Sequence, residues 1–433
     1  MTKARLDGLY LLLLGSAVFL LFGVALENSA PAPLADFRGL YYPARCLVQH
    51  CDPYLESDVL RIYMVESSFE PLDTAKVRQI VTRAVYPPTA FSFTILFGML
   101  PWGPAHILWI ALTIASLIFS SFLVWSLGAD DSPVLFGGLL GFLLANSEVV
   151  VIGGNAAGID ISLCAVAVWC FFRERYVFAG ILCLALSLAI KPQEAGFVWL
   201  FFVLAGGMYR KRALQTLVAT IAIGLPGVLW IWHVSPHWMQ ELNSNIAAFS
   251  ANGGTNDPGL ASAGAHGLGM VISLQAVTSV FSDNPRIYNP ASYLIFGLLL
   301  LVWAVATLRS RMTPDKAWLA LAAISALSML PVYHRQYDAK LLMLSVPACA
   351  MLYIEGGVRG KLALVINVLG FVFTGDVVWA VLLSLIGNPH GLIARMPGQF
   401  LVAIQVFPAP MILLAMGIFY LSVYVRRCFA LNT

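Results

Sequence analysis

"LYLLLLGSAVFLLFGVAL", Leu9 to Leu26, decides the class of fold. The run carries no charge and follows a basic flank at Lys3 and Arg5. A cleaved secretory signal is the rival reading, but such a signal has an apolar core of roughly 7–15 residues. This run is longer, and others of its kind follow it. An uncleaved first membrane helix is therefore the expectation. The whole chain of 433 residues is 60% hydrophobic and only 11% charged. A soluble domain carries roughly a quarter charged residues. The composition thus predicts an all-α integral membrane protein. No basic face with interleaved aromatics is present, so no nucleic-acid partner is expected.

Working outward, apolar runs fall at 9–26, 104–127, 134–152, 158–172, 178–190, 195–208, 213–234, 291–308, 317–331, 339–355, 361–386 and 401–425. About twelve transmembrane helices are predicted, the shorter runs completed by flanking residues. In that count Arg173 and Arg175, the Arg210–Lys211–Arg212 cluster, Arg309, Arg311 and Lys316, and Arg359 with Lys361 share one side. Lys3, Arg5, Arg426 and Arg427 join them, so the positive-inside tendency makes that side and both termini cytoplasmic. The location expected is the cell (inner or plasma) membrane, with residues 1–433 as a single polytopic domain.

"YPPTAFSFTILFGMLP", Tyr86 to Pro101, does not fit a simple crossing. It is short and proline-bounded, and counting it as a span inverts every later basic loop. A re-entrant or interfacial helix over 86–101 is the better reading, tolerable where protein or water covers the backbone. The opposite, extracytoplasmic face then holds two long segments with loop helices, 27–86 and 235–290. It also holds the short connections "GGNAAG" (Gly153 to Gly158), "KPQE" (Lys191 to Glu194), "YHRQYDAK" (Tyr333 to Lys340) and "GNPHGLIARMPGQ" (Gly387 to Gln399). The unusual polar residues gather on that side.

Asp36 opens "DFRGLYYPARCLVQHCDPY", about ten residues after the first run. A loop acid is commonly a cap or an Arg partner. At the membrane surface, however, a carboxylate can act as general base on a hydroxyl while a lipid-borne donor arrives from the side. Arg38, Tyr41 and Tyr42 beside it are supporting candidates. Asp52, before Pro53, reads as a turn residue. Cys46 and Cys51 either pair in an oxidising compartment or remain free thiols. Lys191, alone and followed by Pro192, either snorkels or holds a phosphate. Arg335 suits bidentate phosphate binding, His334 orientation or proton handling, and Lys340 adds a third cation. Asn155 is a candidate cavity-lining amide, and the glycines before it read as helix-packing residues. Trp238, Asn243, Asn245 and Asn252 could serve sugar recognition or merely form a surface loop.

Taken in order, the first helix, "DFRGLYYPARCLVQHCDPY", "YPP", "PAHILWIALT", "GGN" and "LSLAIKPQ" resemble glycosyltransferase family 87. The similarity is best from Asp36 to Arg212. Gly154–Asn155 stands where the family commonly has a "GQ"-like pair, and the tract after "YPP" is rich in Phe and Thr rather than small residues. The resemblance implies a GT-C type membrane glycosyltransferase, like the polyprenyl-phosphate-mannose-dependent α-mannosyltransferases. It implies an essential Asp in the first extracytoplasmic loop, matched by Asp36, and a "KP" motif matched by Lys191 and Pro192. His334 corresponds to a histidine before a late span.

A polyprenyl phosphate departs as a stable anion and needs no general acid. One base and a few cations would suffice. Asp36 is the expected base, with Lys191, Arg335 and Lys340 at the donor phosphate. Direct displacement inverts the anomeric carbon. The expected partners are a polyprenyl-phosphate sugar, a lipid or glycan acceptor in cell-envelope synthesis, and membrane lipid; no metal or other cofactor is expected. The alternative is a transporter or flippase for lipid-linked sugars. It would need repeat symmetry and polar residues across the membrane depth, and the sequence has neither.

Overall fold

Among the described residues the apolar runs fold as helices. The computed structural model describes residues 2–66, 75–251, 253–259, 271–375 and 398–429. Among them the only β-type pairing is an isolated bridge between Val271 and Arg335. The first half comprises α1 (Lys3–Ser29), α2 (Ala35–Val48), α3 (Glu56–Glu66), α4 (Ala75–Thr82), α5 (Phe91–Gly98), α6 (Trp102–Gly128), α7 (Pro133–Leu144), α8 (Val149–Gly153), α9 (Ala157–Arg173) and α10 (Val177–Ile190). The second comprises α11 (Pro192–Ala205), α12 (Gly207–Val234), α13 (Trp238–Ser250), α14 (Leu274–Ser279), α15 (Pro285–Arg309), α16 (Pro314–Leu327), α17 (Val346–Glu355), α18 (Gly357–Phe373), α19 (Gln399–Val406) and α20 (Pro408–Phe429).

Among the described residues five helices are long and apolar enough to cross a membrane: α1, α6, α12, α15 and α20, of 22 to 28 residues. The other apolar runs form shorter helices. Run 134–152 breaks at Ala145–Glu148 into α7 and α8, and run 339–355 begins as a 3-10 turn, Asp338–Ser345. Run 361–386 extends past residue 375, so its second part lies outside the described residues. Where they are described, the long polar segments carry helices too. The segment 27–86 contains α2, α3 and α4, and 235–290 contains α13 and α14.

Small residues draw the helices together. Gly8 and Gly15 of α1 face Pro133 and Gly141 of α7 so closely that a Cβ on either would collide with backbone. Without a hydrophobic drive between helices in lipid, this backbone contact is what small residues permit. Two adjacent glycines on α7 separate cause from composition. A Cβ at Gly137 would overlap the Gly8 carbonyl, whereas one at Gly138 meets only Leu11 Cδ1 at 3.8 Å. Gly137→Ala is expected to destabilise by about 1–3 kcal/mol, read as a lower thermal midpoint in detergent. Gly138→Ala should not lower the midpoint.

The segment from Tyr86 to Pro101 is compact. Pro88–Ala90 forms a 3-10 turn that runs into α5, whose eight residues are too short to cross a bilayer. Thr89 Oγ1 donates to the Ala189 carbonyl at the end of α10 (2.7 Å), and Ser92 Oγ accepts from Gly227 N on α12 (3.1 Å). These bonds hold the "YPP" turn beside Lys191. At the end of α2, Cys46 and Cys51 are joined by a disulfide, their Cα atoms 5.1 Å apart. Asp52 Oδ1 accepts from Tyr54 N (2.9 Å), an Asx turn.

Candidate active site

Asp36 sits in the first turn of α2. The turn is entered through Leu34, whose left-handed φ of 52° reverses the chain while its N–H bonds the Ile152 carbonyl (2.8 Å). That contact brings the start of α2 against the Gly153–Gly154–Asn155 loop. Gly154 has φ +63°, and a Cβ there would lie 2.5 Å from Leu34 Cδ2, so glycine is required twice over. Trp109 Nε1 binds the Gly154 carbonyl (2.8 Å) and fixes the loop.

Asn155 is buried and its amide orientation is determined. Oδ1 accepts from Ala157 N (2.9 Å) and from Lys191 Nζ (3.3 Å), so Nδ2 must face Asp36, donating to Oδ2 at 2.8 Å. Lys191 lies between α10 and α11, where Pro192 begins a new helix without needing an N–H donor. The residue is 5% exposed, and its ammonium also reaches Asp338 Oδ1 (2.6 Å) and Glu194 Oε1 (3.3 Å). Asp338 Oδ2 accepts from the backbone N–H of Arg335 (2.7 Å). One carboxylate therefore ties the two cation-bearing loops together. Burial pushes the Asp338 carboxyl up, but the Lys191 ammonium overcomes it and holds it below the usual range.

Arg335 donates from Nη2 to the Thr255 carbonyl (3.0 Å) and lies over the Tyr333 ring, 5.5 Å from its centroid. Its Nε is buried without a hydrogen-bond partner. Residues 271–274 pin this loop, with Ile272 N bonding the His334 carbonyl (3.0 Å) and Leu274 N bonding that of Leu330 (2.9 Å). Asp36, Asn155, Lys191, Arg335 and Asp338 line one cavity of 390 Å³, with Tyr86, Tyr333 and Tyr337. Burial raises the Tyr333 phenol to about 12, so it remains a neutral hydrogen-bonding group.

Other candidates point elsewhere. His334 is fully buried behind the cavity, Nδ1 on the Val332 carbonyl (3.0 Å) and Nε2 at 3.7 Å from Glu194. Burial lowers its pKa, which leaves the imidazole neutral near pH 7. Lys340 does not reach the cavity. Its ammonium binds the carbonyls of Asn146 (2.8 Å) and Thr374 (3.1 Å), just past α7 and at the end of α18. A cation satisfies orphan carbonyls at such ends.

Arg38, Tyr41 and Tyr42 also leave the cavity, because α2 is a helix. Asp36 and Gly39 share its cavity face, whereas Arg38 lies over Trp102 at 5.0 Å. Tyr41 OH bonds the Leu100 carbonyl (2.9 Å), and Tyr42 packs on Tyr63 (ring centroids 4.8 Å apart). Asn245, a candidate for sugar recognition, instead braces the carbonyls of Tyr54 (3.0 Å) and Ala84 (3.1 Å). Trp238 packs against Tyr54, with 6.3 Å between ring centroids, and Asn252 lies outside the described residues.

Sequence reasoning passed over Glu194, Tyr86, Tyr333 and Tyr337. Glu194 carried a signal: an acid three residues after Lys191 at the start of an apolar helix shares the lysine's face.

The model of glycosyltransferase family 87 matches residues 84–332, more than half of the chain. The chain belongs to glycosyltransferase family 87. It is therefore a membrane glycosyltransferase, acting between a sugar donor and an acceptor. The family 87 match takes in Tyr86, Asn155 and Lys191, and stops short of Asp36, Arg335 and Asp338. No curated protein and no solved structure matches the chain.

Proposed function

We propose that this family 87 enzyme moves a sugar, in the first instance mannose, from a polyprenyl-phosphate donor to an acceptor hydroxyl on the extracytoplasmic side of the cell membrane. One observation carries the reading: an acid at position 36 and cations at 191 and 335 line the same cavity, although about 300 residues separate the first from the last. Asp36 takes the acceptor proton as the acceptor oxygen bonds to the anomeric carbon. The bond from that carbon to the phosphate oxygen breaks, its electron pair leaving with the polyprenyl phosphate. Backside attack inverts the centre, giving an α-linkage from a β-linked donor. The site's orientation rests on the basic loops and on twelve crossings, the shorter helices included, with 86–101 re-entrant. The Cys46–Cys51 disulfide favours an oxidising compartment on that side.

The two cations differ in readiness. The Lys191 ammonium already faces three acceptors, so it contributes charge and holds the network. Arg335 has an unpartnered Nε and a planar fork suited to phosphate oxygens. Arg335→Met is expected to raise the donor KM about 10–100-fold, the worth of a charged hydrogen bond of about 1.5–3 kcal/mol, with Arg335→Lys between. Initial rates across a donor titration read this out. An unchanged donor KM removes Arg335 from the phosphate.

A further inference from the structure

The "GGN" loop does more than pack helices. Asp36 Oδ2 is taken by the Asn155 amide, and among the described residues no protein group hydrogen-bonds its Oδ1. Nor does any lysine or arginine pair with Asp36 directly among those residues, although Lys191 lies on the far side of the same amide. Asn155 is thus a neutral spacer, its donor turned to the acid and its acceptor to the ammonium. That polarity is imposed by the Ala157 N–H, which competes for Oδ1 and forbids the flipped amide.

The geometry points to Asn155 as the positioning residue of the transfer reaction: it holds Asp36 by one oxygen, presents the other to the acceptor hydroxyl, and keeps the base out of contact with Lys191. A carboxylate in direct contact with an ammonium loses basicity, and a freely rotating one loses its alignment with the hydroxyl. One flanking glycine serves this arrangement: Gly154 supplies the left-handed turn that aims the amide. The inference rests on Asp36 being the base.

The test compares Asn155→Asp and Asn155→Ala in the full-length protein in nanodiscs, with polyprenyl-phosphate mannose as donor. Aspartate keeps the size and the oxygen that accepts from Ala157 N and Lys191, but it sets a second carboxyl against Asp36 Oδ2 where the N–H stood. Like charges so close raise a carboxyl pKa, so the acidic limb of the kcat profile is expected to move to higher pH in Asn155→Asp and not in Asn155→Ala. Both variants are expected to lose about 10²-fold or more in kcat, the usual worth of general-base catalysis, with donor KM within threefold of wild type. Wild-type kcat in Asn155→Ala or Asn155→Asp overturns the assignment, because neither variant holds Asp36 by an amide N–H. A large rise in donor KM with kcat retained also overturns it and makes Asn155 a donor ligand. If Asp36→Asn proves active, the base reading fails first; if Asp36→Asn is dead and Asn155→Asp active, only the positioning role fails.

Discussion

Replacing Asp36 by Asn is expected to lower kcat by about 10²–10⁴-fold, the range for removal of a general base, with little effect on fold or donor affinity. The substitution preserves volume. Its side-chain oxygen can still accept from Asn155 Nδ2, now 2.8 Å from the carboxylate. Only the basic oxygen facing the cavity is lost. The donor KM should therefore stay close to wild type while turnover collapses, the pattern of an interaction made in the transition state. Initial rates with purified protein separate the two terms. Turnover within threefold of wild type would remove Asp36 from the chemistry.

The second large effect is on stability. Lys191 is the charge partner of Asp338 and touches Glu194, and all three side chains are buried. Lys191→Met strands the Asp338 carboxylate without its cation, whereas burial pushes the Glu194 carboxyl well up and leaves it less charge to strand. Breaking a buried pair from one side costs about 3–5 kcal/mol, a large share of the roughly 5–15 kcal/mol that holds a typical protein folded. A strong fall in thermal midpoint is expected, beyond any loss of donor affinity. Adding Asp338→Asn removes the stranded charge while its side-chain oxygen can still accept from Arg335 N. The double variant should recover most of the lost midpoint. A single variant as stable as wild type would show that the network around Lys191 is not the structural tie described here.

The membrane class was legible because a bilayer imposes its length on the chain, and Leu9–Leu26 announces that length. Helix ends were less legible. The first helix extends from Lys3 to Ser29, since polar residues continue a helix beyond the hydrocarbon. The break at Ala145–Glu148 was hidden within an apolar run, because it depends on contacts made far along the chain, among them Lys340 on the Asn146 carbonyl. At the site, Asp36, Lys191 and Arg335 stood out as polar residues among apolar ones. Arg38, Tyr41 and Tyr42 looked equally near to Asp36 along the chain, but helical geometry turns them onto other faces. Conversely, Glu194 and Asp338 join Lys191 from 3 and 147 residues away, and only folding reveals that all three meet. The role of Asn155 was the least visible, because an amide signals nothing until its two ends have partners.

The most direct measurement supplies purified protein in nanodiscs with an acceptor extract and either polyprenyl-phosphate-linked or nucleotide-linked radiolabelled mannose, and determines where the label goes and in which anomeric form. The account predicts transfer from the lipid donor alone, with inversion to the α-linkage and loss of transfer in Asp36→Asn. Transfer from the nucleotide sugar alone, or label moved with retained configuration, would contradict it.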